Sequence, residues 1–169
     1  MTAPGRGDQR LIIEPLGVAV VPVADWIAMH DVVMRYAEAL DTKDWALFRT
    51  AFTPDCVMTY GDPWGPIEGI EHLTDFVVRF HAPLAHLRHA TTNFRIGAYD
   101  GDTARGRCSV EALLVQPGAP GGDTLRVTGV YQDVFARRDG AWRFASRVFT
   151  PILSEGNEGV GDWSWERPT

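Results

Sequence analysis

The chain has 169 residues, 45% apolar and 22% charged, the proportions of a globular domain long enough to bury a core. Its formal net charge of -6 argues against nucleic acid or an anionic membrane surface as partner. Cys56 and Cys108 lie far apart without paired spacing, so neither a disulfide framework nor a thiolate zinc site is suggested, and each reads as a buried thiol in a reducing compartment.

Residues 1–10 are polar and read as a tail. Residues 11–23 are apolar but broken by Glu14, Pro15, Gly17 and Pro22, which gives an extended arm suited to lie on a partner subunit. The run is too interrupted for a transmembrane helix and lacks the form of a signal peptide, so the expected location is the cytoplasm. A first helix is expected from Asp25, a plausible N-cap, to about Leu40, with Trp26, Met29, Val33, Tyr36, Ala37 and Leu40 on its apolar face. A second helix follows over about residues 43–52, burying Trp45, Phe48 and Phe52, and Thr53-Pro54-Asp55 stops it. Residues 56–60 alternate as a short strand, and residues 61–66 form a loop rich in glycine and proline. The spacing of Ile70, Leu73, Val77 and Phe80 predicts a third helix over about 70–80. Strands follow over residues 89–99, 104–116, 125–137 and 141–153. Their separators, Asp100-Gly101-Asp102, the 117–123 loop and Arg138-Asp139-Gly140, are turn sequences.

Helices first and a strand meander later make an α+β fold: a curved antiparallel sheet wrapped around N-terminal helices, a cone whose mouth is a small-molecule pocket. The expected organisation is a tail and arm over 1–23, one domain over 24–153 and a C-terminal tail over 154–169. That tail carries Trp163 and Trp165, which suggests that it folds back on something.

Two features bear on chemistry. Asp41 follows the apolar Tyr36–Leu40 face directly, so its carboxylate sits at the edge of what that face buries, where it can act as a base. The competing reading is that Asp41 or Thr42 merely caps the second helix, since Asp41-Thr42-Lys43-Asp44 resembles a capping box. Among the histidines, His81, His86 and His89 cluster, but their loose spacing without a companion carboxylate gives no metal site. His89 alone opens a strand, a rigid position for a functional imidazole.

On these residues the chain resembles the SnoaL-like members of the nuclear transport factor 2-like superfamily. More narrowly, it is similar to the group that includes scytalone dehydratase, bile-acid 7α-dehydratase and γ-hexachlorocyclohexane dehydrochlorinase. The resemblance runs from about Trp26 to Pro151. It rests on Tyr36 and Asp41, Asp44-Trp45, Tyr60, His89 and Asn93, the Gly129-to-Asp133 strand, the Asp139-Gly140-Ala141-Trp142-Arg143-Phe144 hairpin, and Arg147. It implies a cofactor-independent lyase in which Asp41 orients His89 as base, with Tyr36 and Arg147 completing the catalytic set. Tyr60, Phe94, Asn93, Cys108 and Tyr131 are implied as substrate-binding residues. It also implies a small hydrophobic, cyclic or polyketide-like substrate. The sheet is expected to leave an apolar face that requires a homodimer or homotrimer. Cys108 stands where the scytalone enzyme has a second pocket histidine, which argues against scytalone itself. Tyr36 matches the bile-acid enzyme where the dehydrochlorinase has lysine, which favours loss of water over loss of chloride. Three alternatives share the fold: a ketosteroid-type isomerase with Asp62 as base, a polyketide cyclase, and a binding or structural subunit without catalysis.

Overall fold

A computed structural model describes residues 13, 15–61 and 65–164. Helix α1, Val23–Thr42, carries its apolar residues at helical spacing and buries Met29, Val32, Val33, Tyr36, Ala37, Ala39 and Leu40. It starts two residues before Asp25, with Pro22 at the N-cap, where a missing N–H costs nothing. Asp25 is therefore not a cap. From the first turn its carboxylate accepts hydrogen bonds from the Tyr99 hydroxyl, Arg137 Nη2 and Trp142 Nε1, tying the start of α1 to three strands. Those donors, Tyr99 foremost, hold its pKa below the usual carboxylate range.

The end of α1 decides the competing readings of Asp41. Lys43 adopts a left-handed conformation, φ 55°, and terminates the helix. Asp41 thus belongs to the last turn of α1 and caps nothing. The cap of α2, Trp45–Thr50, is Asp44, whose Oδ1 accepts from the Leu47 N–H at 2.8 Å.

Strand β1, Phe52–Thr59, begins where the second helix was expected to continue. A three-residue β2, Pro66–Glu68, pairs with it before α3, Ile70–His81. The remaining strands are β3 His86–Tyr99, β4 Thr103–Val115, β5 Thr124–Arg138 and β6 Ala141–Gly156. They form one curved, unclosed sheet in the order β2-β1-β6-β5-β4-β3. All neighbours are antiparallel except β1 with β6, which run parallel. Strand β6 continues three residues beyond the boundary expected at 153. The tight β5–β6 turn uses positive φ at Asp139 and Gly140, the geometry that matches strand twist.

The core lies between α1 and the sheet, with Phe48, Phe52, Phe135 and Phe144 fully or almost fully buried around Tyr36. The arm is extended and lays Ala19 and Val21 on the chain's own core, while Val18 and Val20 are 89% and 95% exposed. Leu16 crosses β3 at Gly97, where a side chain would collide with it. Asp62, Pro63, Trp64 and Trp165 lie outside the described residues. No helix among the described residues is long and apolar enough to cross a membrane.

Candidate active site

Helix α1 and strand β3 meet where the helix ends. Asp41 projects from the last turn to the first residues of β3, and both of its oxygens accept the His89 backbone N–H, at 2.9 and 3.0 Å. The same Oδ1 lies 2.7 Å from His89 Nδ1. A carboxylate only accepts, so Nδ1 carries the proton and Nε2 keeps its lone pair. The two side chains are 6% and 21% exposed. Backbone and ring are gripped by one carboxylate, which fixes both the position and the tautomer of the imidazole.

His89 lines a cavity of about 360 Å³, within the range of small-molecule sites. Its walls are largely apolar, from Leu40, Phe76, Phe80, Leu114, Val127 and Phe149. The polar interruptions are few. Tyr36, Tyr60 and Tyr131 bring their hydroxyls together: Tyr36 Oη lies 3.2 Å from Tyr60 Oη and 3.5 Å from Tyr131 Oη. Burial, reinforced by the neighbouring phenols, raises the pKa of Tyr60 and Tyr131 well above that of a free phenol, so both remain neutral donors. Three hydroxyls joined by two contacts use two protons, which leaves one O–H free to reach a bound oxygen.

Behind the tyrosines lies Arg147, fully buried. It donates Nε and Nη2 to Asp133 at 2.7 and 2.9 Å, as the cross-strand pairing of these two residues dictates. Burial works against its charge, but the Asp133 carboxylate more than offsets this, and Arg147 stays cationic. Its guanidinium carbon sits 4.4 Å from the Tyr36 ring centre and 4.1 Å from that of Tyr131. Arg147 therefore reaches the cavity through the phenol rings and does not line it.

The residues singled out in the sequence divide accordingly. Tyr36, Tyr60, Tyr131 and His89 line the cavity, Asp41 stands behind His89, and Arg147 stands behind the tyrosines. Cys108 lies one layer back, with Sγ 4.0 Å from Arg147 Nη2, and burial pushes its thiol up to about 12. Asn93 and Phe94 are not at the cavity. Asn93 is exposed beside Ser109, and Phe94 packs against Trp26 and His30. For Asn93 the reason is a bulge: Asn93 has φ 56°, and the β3–β4 register shifts between Thr92 and Arg95, which turns Phe94 inward onto the core beside Trp26, away from the cavity. Strict alternation from His89 would have turned Asn93 inward, and the extra residue reverses it.

Several cavity residues escaped the sequence reading, His81 and Trp163 among them. His81 extends the buried spacing Leu73, Val77, His81 along α3, a signal that was available. Trp163 folds back from beyond β6, as the tail's tryptophans suggested, and meets Phe80 edge-on at 5.0 Å, a partner that no local pattern specifies. Among the described residues no group of three or more His, Cys, Asp or Glu side chains could hold a metal ion.

Residues 22–148 match a family model described as SnoaL-like domain. No curated protein matches the chain. Among solved structures, it is similar to a protein of Novosphingobium aromaticivorans provisionally named an aromatic ring hydroxylase. The identity is 28% and the TM-score 0.74, over 82% of this chain and 96% of that one. A provisionally named scytalone dehydratase from the same organism shares 18% identity at TM-score 0.73, over 80% and 89% of the two chains. A hexachlorocyclohexane dehydrochlorinase of type 3 from Novosphingobium barchaimii shares 21% at TM-score 0.71, over 82% and 93%. The last two likenesses are of fold, the cone of nuclear transport factor 2-like proteins.

Proposed function

This chain belongs to the SnoaL-like family, and on that footing we propose that it is a cofactor-independent lyase that removes water from a small cyclic substrate. The observation that carries the reading is the 2.7 Å contact of Asp41 with His89 Nδ1 at the wall of an apolar cavity. His89 Nε2 takes a carbon-bound proton next to a carbonyl, and Asp41 stabilises the imidazolium that results. The tyrosine hydroxyls donate to the carbonyl oxygen while it carries enolate charge, with Arg147 strengthening them from behind. The imidazolium then returns its proton to the departing hydroxyl group. The C–H and C–O bonds break, a C=C bond and an O–H bond form, and the base is regenerated. A positioned base of this kind supplies about 10²–10⁴-fold. The names of two structural relatives, a dehydratase and a dehydrochlorinase, are those of elimination enzymes and support this class.

The reading is tested by incubating the protein with a panel of bicyclic β-hydroxy ketones in deuterated water. Loss of one water by mass spectrometry, with a new conjugated absorbance absent from the His89→Ala variant, is expected. A product that keeps its oxygen and differs in mass only by exchanged deuterium would make the enzyme an isomerase. Binding with neither turnover nor deuterium exchange would make it a binding module.

A further inference from the structure

Helix α3 carries a second imidazole to the cavity wall, and the chemistry above does not use it. His81 is 5% exposed and lines the cavity. Its Nδ1 lies 2.6 Å from the Val77 carbonyl oxygen, one helical turn back. A carbonyl only accepts, so the ring proton sits on Nδ1, and Nε2, on the opposite edge, holds the lone pair. Burial pushes the pKa of this ring down to about 4, so it is neutral at physiological pH. Trp45, 5.9 Å away, and Phe80, edge-on at 5.0 Å, hold the ring in place.

Nε2 makes no hydrogen bond among the described residues. The titratable groups nearest the ring are His89, Lys43 and Asp41: Lys43 Nζ donates to the Leu84 carbonyl at 2.6 Å, and Asp41 is held to His89 Nδ1. Nε2 is thus a rigid, neutral acceptor on the cavity wall that no protein donor occupies, open to a donor on whatever the cavity binds.

We infer that His81 Nε2 accepts a hydrogen bond from a hydroxyl group of the bound molecule. The site then takes a hydroxylated ring compound that presents a donor to His81 and an acceptor oxygen to the tyrosines. His81 is a specificity-determining residue, and it discriminates against the same skeleton lacking the donor or carrying it as an ether. The inference rests on the lyase reading only in calling the bound molecule a substrate. The hydrogen bond itself is read by binding, without turnover.

The probes are β-naphthol, its methyl ether and naphthalene, titrated calorimetrically into wild type, His81→Leu, His81→Gln and His89→Ala. Wild type is expected to bind the naphthol about three- to tenfold tighter than the ether, the worth of one neutral hydrogen bond. His81→Leu should bind both equally, His81→Gln, which keeps an acceptor, should retain part of the preference, and His89→Ala should keep it. Nitrogen NMR of wild type gives the same answer without a substitution: the His81 Nε2 resonance should move on adding the naphthol and stay still with naphthalene. A His81→Leu variant that keeps the full preference, a wild type that shows none, or an unmoved His81 resonance overturns the proposal. Loss of the preference in His81→Leu alongside failed turnover on every β-hydroxy ketone would overturn the lyase reading and leave this one standing.

Discussion

Replacing Arg147 with methionine separates what the buried ion pair does for the fold from what it does for the tyrosines. Arg147 and Asp133 have fully buried side chains joined by two hydrogen bonds, and Arg147 Nη1 has no hydrogen-bond partner among the described residues. Removing the guanidinium strands the Asp133 carboxylate in the core, a loss of about 3–5 kcal/mol. For a chain of this length that lowers Tm by roughly 6–20 °C. The double variant Arg147→Met with Asp133→Leu removes both charges and should lie within about 2 kcal/mol of wild type, because the pair repays little beyond its own desolvation. The pH dependence provides a second check. Burial already pushes the Asp133 carboxyl up, and Arg147 pulls it back. Without Arg147 the folded-state pKa rises further above the unfolded one. Stability of the single variant should therefore be greatest in acid and fall as pH rises through that folded-state value. Urea unfolding followed by circular dichroism at pH 5 and pH 8 reads all of this. A single variant costing under about 1 kcal/mol, or a double variant as unstable as the two singles combined, would refute the reasoning.

His81 makes the opposite pH signature. Its folded pKa of about 4 lies below the unfolded value of 6.5, so the unfolded chain binds the extra proton and wild type should lose about 3 kcal/mol as pH falls across that window. His81→Leu should flatten this part of the profile in the same unfolding assay. Tyr36→Phe removes the hub of the hydroxyl cluster but keeps its packed ring; steady-state kinetics on whichever β-hydroxy ketone is turned over should show a fall of about 10²-fold in kcat, with Tm nearly unchanged. Asp44→Ala should cost about 1 kcal/mol through loss of the α2 cap and leave kcat alone, whereas Asp44→Asn should be neutral in both thermal and kinetic assays.

Much of the architecture was legible because it follows from period and punctuation. The 3.6-residue spacing of α1, the turn sequences between β3 and β6, and the Asp139-Gly140 hairpin each act locally, and each element stands where its pattern indicated. Boundaries were harder, because they depend on partners distant in sequence. Asp25 looks like an N-cap until Tyr99, Arg137 and Trp142 claim its carboxylate. Strand β1 takes Phe52 from the expected second helix because that residue pairs with Phe144 on β6. At the site, Tyr36, Asp41 and His89 were visible as residue types at meaningful places, although their convergence is a tertiary fact. Asn93 was misplaced because a single bulge reverses the side-chain parity of β3, and no residue in that stretch other than Asn93 itself signals it; Phe94 does face inward, but it meets Trp26 and His30 instead of the cavity. Arg147 was singled out through the resemblance, but its position behind the phenol rings follows from its cross-strand partner, Asp133.

The central claim is that Asp41 and His89 act as one unit, and a double-mutant cycle in kcat/KM tests it most directly. Asp41→Asn preserves the shape of the side chain but removes the negative charge beside His89 Nδ1, so the imidazolium formed on proton abstraction loses the partner that stabilises it. Asp41→Asn and His89→Ala should each lower kcat/KM by about 10²–10⁴-fold, with the fold intact by circular dichroism. The double variant should be no worse than His89→Ala alone, since groups that act together are not additive. An Asp41→Asn protein with near-normal turnover, or a double variant whose loss is the product of the two single losses, would contradict the dyad.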